Sequence, residues 1–294
     1  MASMSRRSFL QLFGASAAAV AGLGLVGCGG SSNSGSSDSK VETIKSRGKL
    51  KCGVKKDVVG YGLLNTSTNT YEGMEIDLCY QVAAKVFGCS YDEAKSKDLC
   101  EFTDVTPKTR GPLIDNDQLD LICATYTITD DRKKVISFAG PYYTTQQSIL
   151  TMADKKDIKS VDDLAGKTVA VQSGSTGPKI VADVAPDATL QEFKTDEEAR
   201  KALEQGRVDA YVIDTTMQMG TMVRNPNKYR LAGDPFGPED KYGIGLPKDS
   251  DGVQFVNDFL QKIEDDGTWA NLWKICIGDR ADIADAPNPP ALEA

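Results

Sequence analysis

The apolar positions of this chain follow two periods in turn, one of strands and one of helices. Residues 50–54, Leu50-Lys51-Cys52-Gly53-Val54, predict a short buried strand. After a loop through Gly60 and Gly62, the residues Ile76, Cys79, Val82, Ala83, Val86 and Phe87 mark one face of a helix. Strand patterns follow at 102–105 and 119–127, with a short helix over 111–116 between them. A second set begins with a strand at 168–171. It continues through a charged amphipathic helix over 196–205, stopped by Gly206, into a strand over 208–213. Val256, Phe259, Leu260 and Ile263 then make a helix face, and Gly267 breaks it before a last helix carrying Trp269, Leu272 and Trp273.

Strands that alternate with helices imply mainly parallel sheets covered by helices on both sides, an α/β architecture. The two sets, 50–129 and 168–214, predict two such lobes rather than one large sheet. Crossings near Pro141-Tyr142-Tyr143 and Asp234-Pro235-Phe236 divide the chain into a first lobe over 45–143, a second over 144–234, and a return to the first over 235–280. A ligand is expected in the cleft between lobes, at the carboxyl ends of the strands, with closure about the two crossings. Residues 281–294, with Pro287, Pro289 and Pro290, read as a disordered tail.

The first forty residues do not belong to this pattern. Arg6-Arg7 precedes an apolar, small-residue run over 12–26 that is too short for the roughly 20 residues a membrane span requires. The run resembles a signal peptide, exported either through a twin-arginine route or an ordinary secretory one. Leu25-Val26-Gly27-Cys28 resembles the lipobox of bacterial lipoproteins, which implies cleavage before Cys28, a lipid on Cys28, and anchoring to the outer face of the cell membrane. Gly22-Leu23-Gly24-Leu25-Val26-Gly27 matches a dinucleotide-binding fingerprint but lies inside this leader, where no strand-to-helix turn can form. Residues 29–44, rich in Gly and Ser at their start, read as a flexible tether.

A net charge of −8 without a basic stripe excludes nucleic acid as a partner. The chain has no histidine, which removes Ser-His-Asp and Cys-His nucleophile arrangements and the usual zinc sites. No metal and no cofactor is expected, and no enzyme activity. Beyond Cys28 stand Cys52, Cys79, Cys89, Cys100, Cys123 and Cys276. Export permits disulfides. Cys89 and Cys100 flank a short polar loop and are the pair expected to bridge; Cys52 with Cys123, and Cys79 with Cys276, are the remaining pairs, with buried free thiols as the alternative for those four.

Several ordered stretches carry a family resemblance: Tyr71-Glu72-Gly73-Met74-Glu75-Ile76-Asp77-Leu78, Lys108-Thr109-Arg110-Gly111-Pro112-Leu113, Ala124-Thr125-Tyr126-Thr127-Ile128-Thr129-Asp130-Asp131-Arg132-Lys133, Pro141-Tyr142-Tyr143, and Val208-Asp209-Ala210-Tyr211-Val212-Ile213-Asp214. Together they resemble family 3 extracellular solute-binding proteins, the polar amino-acid receptors of ABC importers, and within it the aspartate- and glutamate-binding members. The resemblance implies a periplasmic-binding-protein type II fold, a monomer that passes its ligand to ABC permease subunits, and a set of site residues. Arg132 matches the guanidinium that forks onto an α-carboxylate, Thr127 a hydroxyl donor to the same group, and Thr125 a backbone contact. Asp214 matches the carboxylate that takes the ammonium, and Ser175 and Thr176 match donors from the second lobe.

Lys55 and Arg110 match cations of the acidic-amino-acid members. With Arg132 they give three positive charges against Asp214, a surplus that points to aspartate or glutamate. Each residue also has a plain structural reading. Lys55 and Arg110 could be solvated surface charges, Asp214 a helix N-cap, and Ser175 and Thr176 turn residues. A receptor for another polar amino acid such as glutamine or cysteine, a dehydratase on the same fold, and a sensor or adhesin are the alternative functions.

Overall fold

The computed structural model describes residues 39–283 and 285–293. The leader, Cys28 and the tether up to residue 38 lie outside the described residues. In chain order the elements are α1 (Lys40–Arg47), β1 (Leu50–Val54), β2 (Asp57–Val58), β3 (Gly62–Asn65), β4 (Thr70–Glu72), α2 (Met74–Phe87), α3 (Tyr91–Ser96), β5 (Cys100–Asp104), α4 (Arg110–Asp115), β6 (Leu121–Cys123), α5 (Asp130–Lys133) and β7 (Ser137–Met152). There follow β8 (Thr168–Gln172), α6 (Gly177–Val184), β9 (Thr189–Phe193), α7 (Asp196–Glu204), β10 (Ala210–Asp214), α8 (Thr215–Arg224), β11 (Tyr229–Leu246), α9 (Gly252–Asp265), α10 (Thr268–Trp273) and α11 (Asp279–Ala281).

The fold is α/β, of the type II periplasmic-binding-protein kind, with helices flanking a mainly parallel sheet. Its strand order is β5-β1-β6-β11-β7-β10-β8-β9. The outer trios β5-β1-β6 and β10-β8-β9 are each parallel, as expected of strands joined by helical crossovers. Between them run two long strands, β7 with 16 residues and β11 with 18, paired antiparallel along most of their length. The two parallel halves are therefore joined into one continuous hydrogen-bonded order, where the periodicity alone predicted two separate sheets. Residues 137–152 and 229–246, which the sequence marks only as crossings near Pro141 and Asp234, are long strands interrupted by polar stretches such as Thr144-Thr145-Gln146-Gln147-Ser148. Of these polar groups, Gln147 reaches Asp214 and Asp240.

α2 shows how the pattern becomes packing. Gly73, at φ 126, starts it where a Cβ would meet the Tyr61 carbonyl at 2.3 Å, and Gly88, at φ 66, ends it. Its buried face, with Ile76, Cys79, Val82, Ala83 and Val86, covers Leu50, Cys52, Val54, Cys100, Leu121 and Cys123 of the first parallel trio. On the opposite face of that trio, Val105, Ile114, Leu119, Ile122 and Tyr126 form a smaller core. Val169, Val171, Val181, Ala210 and Val212 do the same in the second half.

Two expectations change here. Residues 40–44, assigned to the tether, open α1: Ser39 caps it by accepting the Glu42 N–H, which a Gly/Ser composition argument overlooks. The tail read as disordered makes contacts. Ile283, Ala286 and Leu292 pack against the main core, the Glu293 N–H donates to Gly140 O at 2.9 Å, and the Glu293 carboxylate meets Lys133 at 3.0 Å and Lys241 at 3.1 Å. Prolines stiffen this stretch into an extended strap whose anchors are far away in sequence.

The cysteines also differ from expectation. All six described cysteines are free thiols. Cys52 lies beside Cys100 and Cys79, and Cys79 beside Cys123, so neither Cys89–Cys100, Cys52–Cys123 nor Cys79–Cys276 is the arrangement seen. The register explains it: Val54 pairs with Cys123 and Leu50 with Cys100, so both partners sit two residues along from Cys52 on the same face. Burial pushes the thiols of Cys52, Cys79 and Cys123 well up, consistent with inert core residues.

Candidate functional site

Arg110, Thr125, Thr127, Ser175, Thr176 and Asp214 line one cavity between the lobes, together with residues the pattern did not single out, such as Gln172 and Met217. The cavity is about 10 Å³, room for roughly one water, so the lobes are closed on each other. A larger groove of about 810 Å³ lies between the β2–β4 hairpin and α7–α8, lined by oppositely charged side chains that pair with one another. Its charges are satisfied by pairs such as Lys201–Glu197 and Arg280–Glu72, so size alone does not locate the chemistry.

The first-lobe side of the cavity is built on Thr125, just beyond β6. Its φ of 44 is rare for a β-branched residue. Glu75, fully buried in the first turn of α2, accepts the Thr125 N–H at 2.5 Å and the Tyr142 hydroxyl at 2.5 Å. Burial raises the Glu75 carboxyl, and these two donors with Arg110 and Lys55 oppose the rise. Sequence gives no hint of this role for Glu75, since a Glu early in a helix ordinarily faces solvent.

Arg110 is 1% exposed, and its Nη1 donates to Ala124 O at 2.5 Å and Thr125 O at 3.2 Å. Its guanidinium lies 3.7 Å from the Tyr126 ring centre and that of Arg132 lies 4.9 Å from it, so one aromatic face system carries both cations. Burial, then the charge of Arg132, lowers Arg110 to about 9, still charged at neutral pH. Arg132 Nη1 donates to Thr127 O at 2.6 Å, while Nη2 reaches Gly174 O of the second lobe at 3.1 Å. Lys55 stands outside the cavity wall, 2% exposed and 3.4 Å from Asp57.

The second-lobe side comes from the β8–α6 turn and the end of β10. Ser175 Oγ donates to Gln172 O at 2.7 Å and accepts the Gly177 N–H at 3.1 Å, so its hydroxyl is engaged in the turn that starts α6. Thr176 Oγ1 instead donates to Asp240 at 3.2 Å. Asp214 occupies the N-cap position of α8 without a capping bond. Its carboxylate accepts Gln147 Nε2 at 2.5 Å and the Tyr242 hydroxyl. The same Gln147 nitrogen donates to Asp240 at 2.6 Å, leaving Gln147 Oε1 buried without a partner among the described residues. Burial and the nearby Asp240 charge raise the Asp214 carboxyl to about 7.

Gln147 and Asp240 were missed. Both lie on the long crossing strands, β7 and β11, where a buried polar run is the one sequence signal that could have found them. Beneath them Tyr61, Tyr143 and Tyr242 make edge-to-face and tilted contacts, and Trp269 stacks on Tyr143 while its Nε1 donates to Tyr142 O at 2.8 Å. Tyr61 and Tyr242 are both fully buried.

Polar groups of both signs thus converge between two lobes. No helix among the described residues is long and apolar enough to cross a membrane. Comparison with known proteins agrees with this arrangement. Residues 50–278 match the model of bacterial extracellular solute-binding proteins, family 3. The ABC transporter glutamine-binding protein GlnH of Bacillus subtilis (strain 168) is 37% identical over 257 residues, 85% of this chain and 90% of that one. The glutamate-binding protein GluB of Corynebacterium glutamicum is 32% identical over 283 residues, 94% of this chain and 93% of that one. A solved structure of an ancestral arginine-binding protein bound to glutamine superposes with a TM-score of 0.70 at 30% identity, covering 79% of this chain and 99% of the other.

Proposed function

This chain belongs to the bacterial extracellular solute-binding proteins, family 3, and from that premise we propose that it is the receptor of an amino-acid ABC importer whose ligand is glutamine. Asp240 carries the reading. The surplus of cations that favoured an acidic ligand counted Lys55, Arg110 and Arg132 against Asp214 alone; Asp240, Glu75 and Asp57 add three carboxylates beside them. Three cations then face four carboxylates, two of which, Asp214 and Glu75, are raised by burial, so the cation surplus disappears and a second ligand carboxylate finds no unpaired cation waiting for it. The glutamine-binding relative supports the same choice.

In this reading Arg132 gives up Gly174 O for the α-carboxylate, helped by Thr127 and Thr125, and Asp214 accepts the ammonium. Ser175 and Thr176 close the second lobe over it, while Arg110 and Lys55 set the potential behind it. The protein binds and releases its ligand unchanged and delivers it to the permease as a monomer. A lipid on Cys28 keeps it near that permease, raising their effective concentration.

Glutamate or aspartate is the second reading, favoured by Arg110 Nε, a buried donor without an acceptor among the described residues. Calorimetric titration of the purified protein, freed of bound ligand, against the twenty amino acids separates the two. Tight binding of glutamine with weaker glutamate is expected; tight glutamate binding with no heat from glutamine would overturn the proposal.

A further inference from the structure

We propose that Asp240 determines specificity at this site: a buried carboxylate set behind Asp214 and Thr176 that selects against ligands with an anionic side chain. This rests on the cleft being an amino-acid site and deepens the choice of glutamine.

The position is built rather than incidental. Asp240 lies on β11 opposite Thr145 of β7, and the pairing of these strands shifts register between Phe236 and Asp240. A bulge of that kind re-aims a side chain and recurs beside functional sites. Asp240 is 2% exposed. Gln147 Nε2 holds it at 2.6 Å and Thr176 Oγ1 at 3.2 Å, and no Lys or Arg among the described residues pairs with it within 4.0 Å. Its charge acts on both Arg132 and Asp214, the groups expected to grip the α-carboxylate and the ammonium, and one Gln147 nitrogen bonds it and Asp214 together.

A buried carboxylate with neutral donors but no cation is costly, and the cost falls when a ligand brings positive charge or N–H donors. Glutamine brings an ammonium and a side-chain amide. Glutamate brings the same ammonium with a second anion. Two like charges about 6 Å apart at an effective dielectric of about 20 repel by an amount worth roughly a hundredfold in affinity. Gln147, sharing its two N–H bonds between Asp214 and Asp240, keeps both carboxylates fixed so that neither can swing away.

The test measures Kd for glutamine and glutamate in the wild type, Asp240→Asn and Asp240→Glu, with circular dichroism to confirm folding. In Asp240→Asn the ratio of glutamate to glutamine Kd is expected to fall about tenfold or more, while Asp240→Glu keeps the wild-type ratio. Asp240→Ser removes the charge with less volume and gives the same readout if the Asn variant does not fold. Equal weakening of both ligands, with the ratio unchanged, would mean that Asp240 only supports the fold and would overturn the assignment. A wild type that ignores glutamine sinks the proposed function instead, before any variant is made.

Discussion

Asp214 is where one side chain links the site to the behaviour of the whole protein. Its ordinary value of 3.8 rises to about 7 because burial strips its solvent and Asp240 stands close by, against the help of Tyr242 and Gln147. A carboxyl raised in the folded state binds its proton more tightly there than in the unfolded chain. Its contribution to stability is thus fully present below about pH 4 and is lost as pH rises toward 7. Urea unfolding of the ligand-free wild type and Asp214→Asn at pH 5 and pH 8 should show an extra loss, on the order of a few kcal/mol, for the wild type alone on going to pH 8. Equal pH responses of the two proteins would mean the carboxyl is not perturbed. Residues such as Asp214, Arg132, Thr127 and Thr125 were legible in sequence because they sit inside motifs. Gln147 and Asp240, 93 residues apart, were not, since they meet only through the pairing of distant strands.

At the level of elements, β7 and β11 join the two parallel halves of the sheet and bring polar side chains to the site. Their pairing carries Tyr143 opposite Tyr242, Thr144 opposite Lys241 and Thr145 opposite Asp240, so the crossing itself supplies site chemistry. The terminal strap adds to this region: Glu293 bonds Gly140 near the start of β7, Lys241 on β11, and Lys133 beside Arg132. Its ion pairs are partly exposed and are worth about 1 kcal/mol or less together. The apolar contacts of Ile283 and Leu292 carry more. Removing residues 283–294 should lower stability by about 1–3 kcal/mol, a fall of several degrees in Tm by calorimetry, whereas Glu293→Ala should cost under 1 kcal/mol. A truncated protein that melts with the full chain would show the strap to be undocked in solution. Composition suggested disorder because prolines and small residues dominate the tail; contacts with core residues far away in sequence, supported by Lys133 and Lys241, decide otherwise.

For the whole molecule, the closed cleft is held by contacts that reach between lobes: Arg132 to Gly174 O, and Asp57, which accepts the Asp196 N–H at the start of α7 at 3.1 Å while meeting Lys55 at 3.4 Å. With a cavity of about 10 Å³, an amino acid enters only after opening. Asp57→Ala removes a contact of the closed state without touching the cavity wall. It should enlarge the ligand-free radius of gyration in X-ray scattering and weaken ligand binding by about tenfold, near 1.4 kcal/mol. An unchanged radius and Kd would remove Asp57 from the closing contacts. The sequence by itself determined the α/β class, the strongly periodic helices over 76–87, 196–205 and 256–263, and the motif-borne side chains, because periodicity, glycine conformation and short motifs are local properties of the chain. Tertiary structure alone decided the continuous sheet order, the company of the cysteines, the docking of the tail and the charge balance of the cleft. These depend on which distant strands become neighbours, and Coulomb interactions in a buried site count every charge brought there, whichever part of the chain it comes from.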